Sequence, residues 1–336
     1  MINNTNEVRT ERGTSHTTQN DGVTQGYAEV HGAQLYYERT GRGEPLVFLH
    51  AGIADHRMWA TQFYALADRY TVIRYDLRGY GKSTAPQKVG QAPHARQEQL
   101  RTEQKFSHAQ DLYSLLRTLE IGAATLIGSS LGGAAAIDFA LEQPSMTTGL
   151  VLVGAVPSGY EFAGDMPPTL QRFAMACEQG EMDQAAELAT QLWFDGPRRQ
   201  PAQMDQDLRA QVKSMMTDVL TGSSLDLRNQ SGTVQPAVNR LHEIMAPTVV
   251  VIGDQDDETV QAAANLLANQ IPAADLVQMD GAAHLPNLEQ PDAFYRIVVD
   301  FLDRIASLNA PESDLATGLG GAVERKLIEP EPAEQR

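Results

Sequence analysis

The chain has 336 residues, a single cysteine and a formal net charge of −17 at pH 7. This length is sufficient for one large α/β domain with a well-buried core. The lone Cys177 excludes an intrachain disulfide, and the acidic balance argues against a nucleic-acid surface or docking onto anionic lipid. Neither an apolar leader nor an apolar run of spanning length is present, so we expect a cytoplasmic protein without a membrane partner.

The two ends of the chain differ in composition from its middle. Residues 1–24 hold almost no large apolar side chains, and residues 309–336 begin with a helix-breaking Asn-Ala-Pro and end in an acidic, Pro-containing stretch. Such segments cannot offset the entropy that is lost on ordering. We therefore predict a disordered N-terminal arm over 1–24 and a disordered acidic tail over 309–336.

Between these ends, strand-like and helix-like segments alternate. After a hairpin around His31-Gly32, short apolar strands are predicted at 45–49, 71–75, 124–128, 150–153, 248–252 and 274–279. Helices are predicted at 107–120, 131–142, 258–270 and 291–307. Continuous apolar strands that alternate with helices indicate a mostly parallel central sheet with helices on both faces.

One internal segment lacks strands altogether. Residues 158–240 are rich in Met, Gln, Glu and Ala, and helices are predicted at 169–180, 182–194 and 206–219. The segment follows one core strand and precedes another, so we interpret it as a helical cap over the C-terminal edge of the sheet, where open α/β sheets keep their binding crevice. The α/β core then consists of residues 25–157 and 241–308.

A long polar stretch at 86–105 leaves the same edge of the sheet. It contains Lys88, His94, Arg96, Arg101 and Lys105. We interpret it as a solvated loop, with steering of anionic substrates as the alternative hypothesis.

The most informative motif is Gly128-Ser129-Ser130-Leu131-Gly132, which reads G-x-S-x-G. A predicted strand precedes it and a predicted helix follows it, which is the context of a nucleophile elbow. Ser130 would stand at the apex of a tight turn, beside a helix N-terminus that favours developing negative charge. A Gly/Ser turn without chemistry is the alternative, so the interpretation depends on whether partners exist.

Three aspartates follow the strand at 248–252 and compete for the role of the acid. They are Asp254, Asp256 and Asp257. We favour Asp256, because Asp254 lies at the strand end and Asp257 is placed to cap the helix that follows.

His284 follows the last predicted strand and lies among small residues. Its ordinary pKa suits a base that takes a proton from Ser130 and returns it to a leaving group. The chain order of Ser130, Asp256 and His284 is the order of nucleophile, acid and base in the α/β-hydrolase arrangement.

A fourth element, His50-Ala51-Gly52-Ile53, follows the strand at 45–49. Acyl transfer requires donors aimed at the carbonyl oxygen that becomes negatively charged. We predict that the backbone N–H groups of Leu131 and Gly52 supply them, with Ile53 as the alternative to Gly52. The His50 side chain is expected to brace the loop.

Together these features resemble the α/β-hydrolase superfamily over about residues 26–306. Asp76 to Ser83 is similar to its D-x-R-G-x-G-x-S turn, whereas Ala51 stands where the usual oxyanion motif has its first glycine. Met58-Trp59 and the stretch 283–291 look most like the group containing 3-oxoadipate enol-lactonases and small carboxylesterases.

This resemblance implies an α/β-hydrolase fold with Ser130 as nucleophile, Asp256 as acid and His284 as base. The expected reaction is hydrolysis of a small-molecule ester or lactone through an acyl-enzyme, without a metal or an organic cofactor. Alternatives are a C–C hydrolase of the meta-cleavage type, a cofactor-free haloperoxidase or perhydrolase, and a small-molecule receptor that keeps the fold. Serine at the elbow argues against dehalogenases and epoxide hydrolases, which carry aspartate there.

Overall fold

The structure of the protein is a computed structural model, and it describes residues 16–20, 22–83, 106–162, 165–222 and 235–309. The polar stretch 86–105 lies outside these residues, as do residues 1–15 and 310–336 of the two predicted disordered ends.

A single sheet forms the centre of the fold. In chain order its strands are β1 (His16–Asn20), β2 (Val23–Val30), β3 (Ala33–Gly41), β4 (Pro45–Leu49), β5 (Thr71–Tyr75), β6 (Ala124–Ser129), β7 (Thr147–Val153), β8 (Thr248–Gly253) and β9 (Ala274–Met279). Among the described residues their order across the sheet is β1-β2-β3-β5-β4-β6-β7-β8-β9. Strands β4 to β9 are parallel to one another, while β1, β2 and β3 are antiparallel at one edge. The predicted, mostly parallel sheet is confirmed.

Helices cover both faces of this sheet. They are α1 (Ala60–Ala65), α2 (His108–Thr118), α3 (Leu131–Glu142), α4 (Pro168–Gln179), α5 (Met182–Ala189), α6 (Gln206–Gly222), α7 (Glu258–Gln270), α8 (Pro286–Glu289) and α9 (Pro291–Asn309). Helices α2, α3 and α7 pack on one face, and α1 and α9 pack on the other. In β4, Val47 and Leu49 face the first core and Leu46 and Phe48 face the second, which explains why the strand is apolar throughout.

The predicted disorder of residues 1–24 is wrong for their C-terminal part. His16–Asn20 pairs with Val23–Val30 in an antiparallel ladder, and Gly22 turns the chain with a φ of +82°. Backbone pairing with an existing edge strand compensates for the lack of large apolar side chains. The sequence signal that predicts this turn is Asp21-Gly22, a dipeptide typical of two-residue hairpin loops.

The described residues between β7 and β8 include helices α4, α5 and α6, and we call residues 165–222 the cap segment. The helix predicted at 182–194 is divided, because α5 ends at Ala189 and a π-helical turn follows at Thr190–Asp195. Phe194 and Met215 of this segment pack in the same apolar core as α1 and α9. Within the described ranges, no helix is both long and apolar enough to cross a membrane.

Candidate active site

Ser130 occupies a strained turn between β6 and α3. Its φ of 51° and ψ of −112° lie in a region that L-residues rarely adopt, at a cost of about 1–3 kcal/mol. The Ser130 N–H donates to the Val153 carbonyl at 2.8 Å, and the Ser130 carbonyl accepts from Ala134 N–H at 2.9 Å. These two bonds hold the turn between a neighbouring strand and the first turn of α3.

The two glycines of the motif are required by close backbone approach. A Cβ atom at Gly128 would lie 2.4 Å from the Gly132 carbonyl oxygen, and one at Gly132 would lie 2.3 Å from the Leu49 carbonyl oxygen. Neither contact is possible for a side chain, because backbone atoms cannot move aside. The G-x-S-x-G pattern is therefore explained by the geometry of the turn.

His284 and Asp256 meet in a buried hydrogen bond at the same edge of the sheet. His284 Nδ1 lies 2.8 Å from Asp256 Oδ2, and the two side chains are 3% and 2% exposed. Burial lowers the pKa of His284, but the charge and hydrogen bond of Asp256 outweigh it, so the pKa is raised overall. The carboxylate engages Nδ1 and so orients the ring, which leaves Nε2 as the nitrogen that can exchange a proton with other groups.

The structure separates the three competing aspartates. Asp256 is the one that contacts His284. Asp257 caps α7, since its carboxylate accepts from Thr259 N–H at 2.9 Å. Asp254 accepts from Gly281 N–H at 2.6 Å and so joins two loops, which we call the Asp256 loop (residues 253–257) and the His284 loop (residues 280–285).

Gly154 connects the elbow to this pair, and sequence reasoning did not identify it. It follows Val153, which binds Ser130 through the backbone, and it has a φ of +52°. A Cβ atom there would lie 3.0 Å from both Cε1 and Nδ1 of His284 and 3.5 Å from Asp256 Oδ2. The signal available in the sequence is a glycine at the end of the strand beside the elbow strand.

We predict that Gly154→Ala lowers kcat by about tenfold to a hundredfold with a smaller change in KM, because its methyl group would displace the His284 ring. Steady-state kinetics on an ester or lactone substrate provide the measurement. Gly180→Ala is the matched control, because Gly180 has a φ of +76° but no atom within 4 Å of its Cβ position. Equal kcat values for the two variants would contradict the prediction.

The loop after β4 lies directly against the elbow. A Cβ atom at Gly52 would lie 3.4 Å from Leu131 Cδ2 and 3.6 Å from the Tyr80 hydroxyl. Leu131 is the first residue of α3, so its N–H is one of the amides that have no acceptor within the helix. Gly52, its alternative Ile53 and Leu131 are all half-buried.

The His50 side chain supports this loop from beneath. It is fully buried; its Nε2 accepts from Leu77 N–H at 2.9 Å, and its Nδ1 donates to the Ala51 carbonyl at 2.8 Å. The ring therefore bridges the loop after β4 to the loop after β5, which is the bracing position expected for it.

A charged cluster joins the segments that follow β4 and β5. Asp55, His56 and Asp76 offer ligand atoms within 4.8 Å of one another, an arrangement that can in principle hold a metal ion. Asp76 Oδ1 accepts from the His56 ring at 2.7 Å and from His56 N–H at 2.8 Å, and Asp76 Oδ2 accepts from Lys82 N–H at 2.8 Å. Since these atoms are engaged with one another, we interpret the cluster as a joint between loops.

Because His56 is part of this cluster, we expect the stability of the protein to depend on pH. Burial lowers the pKa of His56, but hydrogen bonds to Asp76 and Glu38 outweigh it and raise the pKa to about 9, above its usual 6.5. The stabilisation is complete below the unfolded pKa and is lost as the pH rises through 9. We expect the free energy of unfolding to fall by about 2 kcal/mol between pH 7 and pH 10 from this group.

Denaturant unfolding of the wild type and of His56→Gln at both pH values measures the contribution of His56 to the free energy of unfolding. The stability difference between the two proteins is expected to narrow at pH 10, since only the wild type carries the titrating ring. A stability difference between the two proteins that is the same at pH 7 and at pH 10 would contradict the prediction.

A serine at a strand–helix elbow, a buried aspartate–histidine pair and a backbone loop beside the serine define a hydrolase of the α/β type. The Alpha/beta hydrolase family matches residues 46–297 of this chain. The chain therefore belongs to the α/β-hydrolase family, as its motifs indicate.

Curated relatives include esterases and lactonases. The chain is 29% identical over 274 residues to 3-oxoadipate enol-lactonase 2 of Acinetobacter baylyi, across 80% of this chain and 93% of that protein. It is 27% identical over 275 residues to pimeloyl-acyl-carrier protein methyl ester esterase of Pectobacterium atrosepticum, across 80% and 98%. Among solved structures, the enol-lactonase from Burkholderia xenovorans is similar with a TM-score of 0.62 at 25% identity, across 82% of this chain and 99% of that one.

Proposed function

We propose that this protein is a serine hydrolase that cleaves a carboxylic ester or lactone of a small molecule through an acyl-enzyme. The buried bond of 2.8 Å between His284 and Asp256, beside the strained turn at Ser130, carries the proposal. Relatives that are named as an esterase and as enol-lactonases support the ester or lactone class.

In the first half-reaction the Ser130 hydroxyl oxygen attacks the substrate carbonyl carbon. His284 Nε2 takes the hydroxyl proton, and Asp256 stabilises the imidazolium that forms and holds the ring in the required tautomer. Collapse of the tetrahedral intermediate breaks the bond to the alcohol oxygen, which receives the proton from His284. In a lactone, the released alcohol stays attached to the acyl group.

In the second half-reaction water attacks the acyl-enzyme. His284 takes a proton from the water and returns it to Ser130 as the acid is released. The negative oxygen of both tetrahedral intermediates would be bound by the N–H groups of Leu131 and Gly52. The Leu131 side chain packs against Gly52, which supports this pairing of donors. Ile53 N–H is the alternative to the Gly52 donor.

A substrate panel tests the proposal. It contains aryl and alkyl esters, five- and six-membered lactones, a meta-cleavage C–C substrate, and peroxide with halide, and each is assayed with the wild type and with Ser130→Ala. Turnover of esters or lactones that is lost in the variant is the expected result. Turnover of the C–C substrate alone, or saturable binding without turnover, would contradict the proposal in favour of a C–C hydrolase or a receptor.

A further inference from the structure

The chain after the π-helical turn runs between the two loops that carry Asp256 and His284. Gly196, with a φ of +76°, contacts both of them. A Cβ atom at Gly196 would lie 2.6 Å from the Gln255 carbonyl oxygen and 3.1 Å from Ala283 Cβ. Gly196 therefore lies too close to both loops to carry a side chain.

Arg199 fastens this segment to the His284 loop. Its Nη1 donates to the Gly281 carbonyl at 2.7 Å and to Glu289 Oε2 at 2.6 Å. On the cap side, its Nε donates to the Asp195 carbonyl at 2.7 Å and its Nη2 to the Phe194 carbonyl at 2.6 Å. One guanidinium thus ties the end of the π-helical turn to the loop that carries the histidine.

Glu289 links Arg199 to Ala283, the residue before His284. Its second oxygen, Oε1, accepts from Ala283 N–H at 2.8 Å, and its side chain is 6% exposed. A carboxylate whose two oxygens are held by different partners has little freedom to rotate, so Arg199 restrains Ala283 through Glu289. The contacts run from Arg199 through Glu289 and Ala283 to His284.

The Asp256 loop is held differently, by two side chains that duplicate each other. Arg198 Nη2 donates to the carbonyls of Asp254 and Asp256 at 2.5 and 3.2 Å. Gln261 Nε2 donates to the same two carbonyls at 3.2 and 2.8 Å. The His284 loop has further holds at the Gly281 N–H, which Asp254 accepts, and at the Asp280 carbonyl, to which Gln290 donates. Among the described contacts, however, no other side chain donates to the Gly281 carbonyl or to the Glu289 carboxylate, so Arg199 is the arginine whose loss we expect to disturb the site.

We propose that Arg199 is a positioning residue that holds the His284 loop in its working geometry from the cap segment. This inference rests on the proposed function, because it requires His284 to act as the base. It gives the cap segment a role in catalysis that is separate from any contact with substrate. A displacement of His284 by about 1 Å can cost on the order of a hundredfold in rate.

Arg199 also balances charge beside the base. The nearby charges, which include Asp256, Asp257 and Glu289, raise the pKa of His284, and Arg199 pairs with Glu289 in a salt bridge of 2.6 Å. Burial raises the pKa of Glu289, and the hydrogen bond and charge of Arg199 lower it. Where Glu289 remains ionised, removal of the guanidinium leaves its charge without a cation and favours protonated His284. The pH midpoint of activity is therefore expected to rise in Arg199→Ala, because only the neutral ring accepts a proton.

The test measures the rate at which a fluorophosphonate modifies Ser130 as a function of pH. The proteins are the wild type, Arg199→Ala, Arg199→Ala/Glu289→Gln and the control Arg69→Ala, which breaks an exposed pair with Asp303. Folding of each is checked by thermal unfolding. We expect Arg199→Ala to lower the plateau rate by about tenfold or more and to raise the pH midpoint, while Arg69→Ala matches the wild type.

The double variant separates the positioning effect of Arg199 from its effect on the charge beside His284. It removes the unpaired carboxylate while keeping an acceptor for Ala283 N–H, so its pH midpoint is expected to return toward the wild-type value while its plateau rate stays low. A plateau rate for folded Arg199→Ala within about twofold of the wild type overturns the inference while leaving the proposed function intact. Wild-type protein that is not modified at Ser130 overturns both.

Discussion

Replacement of Ser130 by alanine is expected to lower kcat by about five to six orders of magnitude, with little change in KM. The hydroxyl supplies the bond of the acyl-enzyme, and alanine in the same strained turn has no atom that can form it. Any remaining catalysis would come from substrate binding and the backbone donors beside the turn. Steady-state kinetics of the purified variant on the best substrate of the panel measure the loss.

Ser129→Ala is the matched control for this experiment. Ser129 precedes Ser130 in the chain, and its hydroxyl is buried without a hydrogen-bond partner among the described residues. Its removal is expected to leave kcat within a few-fold of the wild type, because no interaction is lost. If Ser129→Ala and Ser130→Ala were equally active, Ser130 would not be the nucleophile.

Asp256→Asn is expected to lower kcat by about ten-thousand-fold. The amide cannot stabilise the imidazolium that forms at His284, and it can hold the ring in the wrong tautomer. The bond of 2.8 Å between the two side chains is the contact that is changed, and the variant preserves their size. The kcat of the variant on the same substrate is the measurement.

Asp257→Asn provides the comparison, one residue along the chain. Asp257 caps α7 rather than contacting His284, and asparagine caps helices about as well as aspartate. Its kcat and its stability are therefore expected to stay close to those of the wild type. A larger loss of kcat in Asp257→Asn than in Asp256→Asn would contradict the assignment of Asp256 as the acid.

Much of the fold was predictable because its central strands carry local signals. The run Pro45–Leu49 is apolar throughout since both of its faces are buried, and the alternation of such runs with helices indicates a parallel sheet. His16–Asn20 lacks that signal, because its pairing depends on an edge strand elsewhere in the structure. The division between α5 and the π-helical turn likewise has no marker in the sequence that we identified.

The candidate site likewise contains residues that the sequence predicted and residues that it did not. Ser130, Asp256 and His284 were recognisable because each lies in a short pattern after a strand, in a particular chain order. Gly154 and Arg199 were not, because their importance comes from what lies beside them: the His284 ring for Gly154, and Gly281 with Glu289 for Arg199. Contacts between segments that are distant in the chain require the folded structure.

The central claim is that Ser130 is an activated nucleophile, and one labelling experiment tests it most directly. The wild type and Ser130→Ala are incubated with a fluorophosphonate, and the modified peptide is identified by mass spectrometry. The account predicts a single modified peptide with the label on Ser130, and no label in the variant. Folded wild-type protein that stays unlabelled, or a label that persists in Ser130→Ala, would contradict it.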